Sequence, residues 1–128
     1  MGVVKDLLQD VEIPKFYKVS YKLDDTHVED VPQAVRDALK REGTLDQIKP
    51  GSTVCFTAAS REIANSVLIL RTFAEELRRV GATPYIVPAM GSHGGATAEG
   101  QRAILDHYGI TEEACGCEIH ATMETKKV

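Results

Sequence analysis

Apolar positions along this chain repeat at two periods, and the switches between them mark out its elements. From Lys15 to Leu23 the residues alternate, with Phe16, Lys18, Ser20 and Lys22 on one side and Tyr17, Val19, Tyr21 and Leu23 on the other. That is the period of a half-buried strand, predicted to pair at a sheet edge. The stretch before it, Met1 to Pro14, is only weakly periodic, and Asp24 to His27 reads as a turn. After Asp30 the period lengthens. Val31, Val35, Ala38 and Leu39 share one face of a helix predicted over 31–42, with Asp30 as cap, Pro32 in the first turn and Gly43 as stop. Thr44-Leu45-Asp46-Gln47 has capping-box spacing and predicts a single turn before Pro50-Gly51.

Ser52 to Ala58 is short, β-branched and bounded by turn signals, the pattern of a buried parallel strand in which Cys55 is a small core residue. Ala59-Ser60-Arg61 connects it to the clearest helix, over about 62–80. There Ile63, Val67, Leu70, Ala74 and Leu77 recur at helical spacing, Arg78 and Arg79 occupy the last turn, and Gly81 follows. A second buried strand, Thr83 to Ala89, runs into the loop Met90 to Thr97. A third helix over 97–108 then has Thr97 as cap, Ile104, Leu105 and Tyr108 as its apolar side, and Gly109 as stop. Glu118 to Thr122 is expected to be a further strand. Strand, helix, strand, helix predicts an α/β, Rossmann-like three-layer fold with a mostly parallel sheet.

Composition narrows this picture. At 128 residues, with 43% apolar and 27% charged residues, the chain is expected to form a single α/β domain, 1–128. A net charge of −4 with evenly mixed signs offers no basic stripe for phosphates, so nucleic acid is not an expected partner. The first ten residues hold no apolar signal core, and the longest apolar run, Val67 to Leu70, is too short for a bilayer. A soluble, cytoplasmic protein is expected, with no membrane association. Met1-Gly2 lacks the serine or threonine that myristoylation wants, since Asp6 stands there. Three cysteines in such a chain argue against a disulfide framework.

Two loops carry the chemistry. Ser60-Arg61 and Gly91 to Gly95 each follow the carboxyl end of a predicted strand, and neighbouring strands lie about 5 Å apart. Both loops therefore open on the crevice where open α/β sheets bind ligands. Arg61 offers a planar fork for a carboxylate, and the helix N-termini beyond each loop add a field that favours an anion. His93, with glycines on both sides, is placed as general base toward a substrate hydroxyl. Against these stands the plain alternative that an arginine at a helix start is a solvated surface residue. A histidine inside a glycine-rich loop is harder to explain as a simple turn.

Other candidates carry less. Cys115-Gly116-Cys117 near His120 has neither the spacing nor the ligand number of a zinc site, so no metal is assigned. His107 in the third helix and His27 in a turn are read as satisfied or solvated. Ser92-His93-Gly94-Gly95 has no accompanying Gly-x-Ser-x-Gly elbow, and the loop lacks the Gly-Lys-Ser/Thr of a nucleotide P-loop.

The stretch Pro88-Ala-Met-Gly-Ser-His-Gly-Gly-Ala-Thr-Ala-Glu-Gly-Gln101, with Tyr108-Gly-Ile-Thr-Glu112 after it and Ser60-Arg61 before it, resembles the nickel-pincer lactate racemase family, in its Gly-Ser-His-Gly-Gly branch. The resemblance runs from about Lys49 to Glu124. It implies a 2-hydroxyacid racemase or epimerase in which a nicotinate-derived nickel pincer nucleotide takes a hydride from the substrate's C2 and returns it to either face. By resemblance His93 is the first catalytic histidine, Arg61 the substrate-carboxylate arginine, and Ser60, Gly91, Ser92 and Gly94 contact cofactor or substrate.

Racemases of the lactate type carry Asp-x-Thr-Arg-Pro where this chain has Ala58-Ala59-Ser60-Arg61-Glu62, which points to a larger or different 2-hydroxycarboxylate. The family's cofactor-tethering lysine, nickel-ligating histidine and second catalytic histidine lie downstream of the stretch covered here. The expectation is therefore the N-terminal part of a longer two-domain enzyme, incomplete on its own. Interconverting mirror images calls for an acid/base group on each face, and one histidine answers for one. Two other readings stand beside it: a non-catalytic module binding a small carboxylate or phosphate, and a half-domain that homo-oligomerises through uncovered apolar surface.

Overall fold

A computed structural model describes residues 3–12, 14–61 and 63–125 of the chain. Three strands, β1 (Thr53–Ala58), β2 (Thr83–Pro88) and β3 (Glu118–Ile119), form a parallel sheet in that order. β1 and β2 pair from Thr53 with Thr83 to Ala58 with Pro88. Two prolines in the central strand β2 are tolerated for a local reason. The Thr83 N–H donates to the Ser52 carbonyl at 2.8 Å and the Ala89 N–H to Ala58 at 2.9 Å, whereas the Ile86 carbonyl accepts from His120 on the other side at 2.8 Å. Pro84 and Pro88 share the Ile86 side, and β3 pairs only with Tyr85 and Ile86, so their missing N–H groups fall outside the ladder.

The helices are α1 (Val3–Leu8), α2 (Val31–Arg41), α3 (Ser66–Arg79), α4 (Ala98–His107) and α5 (Glu112–Cys115), with 3-10 turns at Leu45–Gln47 and His93–Ala96. Ile86 and Ile119 from the sheet meet Ala74 of α3, Leu105 of α4 and Cys115 of α5 in one core, with Phe56, Val67, Leu70 and Ile104 packed against it. Phe56 meets Phe73 edge to face at 4.9 Å. α2 packs on α3, and the buried Glu76 carboxylate binds Arg36 at 2.9 Å and Arg79 at 2.8 Å, so its charge is compensated from both helices. Glu112 accepts from the Ile119 N–H at 3.1 Å and from Arg102 at 3.3 Å, and these bonds hold its carboxyl below the ordinary value. A lowered folded-state pKa means this clasp between α5 and β3 weakens as pH falls through it.

The α/β class and the parallel sheet are as expected. Of the layers expected, the described residues supply the sheet and, over one face, helices α3, α4 and α5, with α2 packed on α3. On the other face Thr53, Cys55, Thr57 and Thr83 are exposed and Tyr85 and Val87 half-buried. Cys55 is therefore not a core residue. It faces Tyr85 across the β1–β2 ladder, and this neighbouring thiol holds the phenol above its ordinary value.

Other expectations are corrected. Lys15 to Leu23 forms no strand: it pairs with none of the described strands, so its hydrogen bonds are not completed by a ladder, and Phe16, Tyr17, Val19, Tyr21 and Leu23 all stand exposed. α3 begins at Ser66 rather than near 62, since Asn65 takes a left-handed conformation at φ 60° and interrupts the helical path. Ile63 consequently leaves the helix face and is 52% exposed. The start foreseen at Glu62 itself lies outside the described residues. Thr44 makes no capping bond, and β3 is two residues long rather than five. α5 was not foreseen, although Thr111 caps it by accepting from the Ala114 N–H at 3.2 Å and Gly116 ends it at φ 70°.

The cysteines divide accordingly. Cys115 and Cys117 are buried, and burial, with Cys117 beside it, pushes the Cys115 thiol up to about 11 from 9.0. A raised folded-state value contributes stability below the unfolded pKa that is lost as pH rises toward 11. With an aromatic disulfide reagent at neutral pH, Cys55 is expected to react at once and Cys115 and Cys117 only on unfolding. Three equally fast thiols would contradict this burial.

Candidate functional site

The sheet's carboxyl edge brings the two candidate loops together. Ala58 and Pro88 end β1 and β2 side by side, so residues 59–65 and 89–97 leave from adjacent points. The loops then touch, with His93 Nδ1 2.6 Å from Ser60 Oγ across 33 residues of sequence. Ser60 is half-buried and His93 exposed.

The glycine loop is held from below. The His93 N–H donates to the carbonyl of buried Met90 at 3.1 Å, and the buried Gln101 side chain donates to the Gly91 carbonyl at 3.0 Å. Thr97 Oγ1 accepts from the Gly100 N–H at 3.0 Å and donates to the Gly94 carbonyl at 3.1 Å, capping α4 and fastening the loop at one point. Gly94, Gly95 and Ala96 all have positive φ, at 64°, 68° and 55°. A Cβ on Gly94 would sit 2.6 Å from the Gln101 nitrogen and closer still to Gly100, so this glycine is required by packing of the loop on α4. Gly91 and Gly95 face open space instead. Ser92 is exposed and makes no capping bond.

Arg61 lines a cavity of about 380 Å³ between the ends of β1 and β2 and the start of α3, with Ala58, Ala89, Ile69, Leu70 and Ile110 among its walls. Among the described residues no carboxylate pairs with Arg61, while every other arginine donates to a carboxylate or a carbonyl. α3 begins at the cavity through Ser66, without a side-chain cap and with no acid in its first turn. Its N-terminal field thus adds to Arg61 in favouring an anion.

The remaining histidines and cysteines sit elsewhere. His120 binds Glu118 at 2.8 Å and stacks on Tyr85, His107 meets Tyr108 edge-on, and His27 lies within its turn. Among the described residues no group of three His, Cys, Asp or Glu is placed to hold a metal ion, and no helix is long and apolar enough to cross a membrane. Sequence reasoning named Ser60, Arg61 and His93 but missed the cavity walls, whose aliphatic residues carry no motif. No protein-family model, curated protein or solved structure matches the chain.

Proposed function

We propose that this chain carries the carboxylate-binding and proton-transferring part of a 2-hydroxyacid racemase or epimerase. The observation that carries the reading is the 2.6 Å contact of His93 with Ser60, the chain neighbour of Arg61, which itself lines the cavity. Arg61 binds the substrate carboxylate through its fork, and the α3 N-terminus favours the same charge. With Nδ1 engaged by Ser60, Nε2 of His93 is the nitrogen left for the C2 hydroxyl, from which it takes a proton and to which it returns one.

A nickel pincer nucleotide, implied by the resemblance, supplies hydride acceptance when bound. The described residues offer no donor set for its metal, and Gly94 is committed to α4, which leaves Gly91, Ser92 and Gly95 as open backbone and side chain beside the histidine. Among the described residues these do not build a holder for that group. The second reading is a small-carboxylate binding module without turnover, which Arg61 at its cavity serves equally well.

Calorimetry with separate enantiomers distinguishes the two. A site that interconverts mirror images binds both, so the two affinities are expected to lie within about tenfold of each other. Arg61→Ala is expected to weaken both by roughly 10- to 150-fold, the worth of a charge-assisted hydrogen-bonded contact. Binding of one enantiomer alone supports the module, and unchanged affinity in the variant removes Arg61 from the site.

A further inference from the structure

We infer, resting on the hydroxyacid reading above, that the cavity beside Arg61 selects 2-hydroxyacids with an extended apolar tail. The cavity exists because alanines stand at the two strand ends, Ala58 and Ala89, where larger side chains would fill it. Its walls are aliphatic: Ile69 and Leu70 from α3, and the buried Ile110 that follows α4. A volume of about 380 Å³ lies within the roughly 300–1,000 Å³ of sites that enclose drug-sized ligands. A three-carbon hydroxyacid offers it one methyl group and leaves most of it unfilled.

The charge lies to one side. Arg61 is exposed and is the sole charged residue among the described cavity residues, and Thr57 and Ser66 add the only hydroxyls. A carboxylate held at Arg61 sends its C2 substituent along the aliphatic walls. A polyhydroxylated tail would lose water there with few groups to replace it, whereas a linear or branched hydrocarbon tail loses nothing.

The experiment is calorimetry of the whole chain with 2-hydroxypropanoate, 2-hydroxybutanoate, 2-hydroxypentanoate and 2-hydroxyhexanoate. Each added methylene is expected to tighten binding about fourfold, roughly sixtyfold over the series. Ala89→Leu, at an exposed position, is expected to flatten that slope by filling the cavity, and Ile69→Ser to flatten it by making the wall polar. Thermal melts of both variants, expected to stay cooperative, check that they fold. Arg61-dependent binding with no chain-length slope, or a slope that survives both variants, overturns this inference and leaves the hydroxyacid reading standing. Absence of Arg61-dependent binding across the series overturns both.

Discussion

Gly100→Ala is expected to destabilise the protein by about 3 kcal/mol, at the upper end of what overpacking costs. The reason is backbone against backbone. A Cβ on Gly100 would fall inside the van der Waals shell of the Gly94 carbonyl and 2.9 Å from Thr97 Oγ1, the atom that caps α4. Neither neighbour is the free end of a flexible side chain, so relief requires the loop to lift from the helix. Lifting it breaks the Thr97 bond to Gly94 and moves His93 away from Ser60. Gly94→Ala meets the same crossing from the other side and adds the strain of φ 64°. Gly95→Ala is the control: at φ 68° with nothing within 4 Å, it costs only the left-handed penalty of roughly 1–2 kcal/mol. Urea denaturation gives the order. Equal midpoints for Gly95→Ala and Gly100→Ala would show that the loop does not rest on α4.

That crossing also marks the limit of what was legible beforehand. Caps were readable because their chemistry is local: Asp30 accepts from the Gln33 N–H and Thr97 from the Gly100 N–H, each three residues ahead. The stops at Gly43, Gly81 and Gly109 were readable for the same reason, since all three have the positive φ that glycine adopts freely. Residues 15–23 were not. Alternation there states which side chains want one face, but a strand exists only where a neighbour completes its hydrogen bonds. Cys55 failed similarly, because a β-branched run does not say which sheet face the helices cover.

The site was half readable. Ser60, Arg61 and His93 were singled out by their places after strand ends, a rule of parallel sheets that the register of Ala58 with Pro88 satisfies. Glycines after a strand look alike in sequence. Only the structure separates Gly94, pressed on α4, from Gly91 and Gly95, which face open space. The cavity was invisible because it follows from small residues at two strand ends and from Ile110 beyond α4, with no spacing that joins them.

If His93 is the acid/base group proposed above, His93→Gln is expected to lower racemisation of a bound 2-hydroxyacid by roughly 10²- to 10⁴-fold, the range for removing a positioned acid/base group. Ser60→Ala is expected to give a smaller loss with a different cause. For Nε2 to accept a proton, the neutral ring must carry its hydrogen on Nδ1, and Ser60 Oγ at 2.6 Å is the acceptor that stabilises this tautomer. On the proposed reading Ser60 is a positioning residue, and nitrogen-15 NMR of the imidazole reads its effect without turnover. The native chain is expected to show His93 protonated at Nδ1 in the neutral form, and Ser60→Ala to show both tautomers. Ser60→Thr, which keeps the hydroxyl, is expected to restore the native pattern. If Nε2 carries the proton in the native chain, Ser60 instead donates to Nδ1, and His93 then faces substrate as a hydrogen-bond donor rather than as a base.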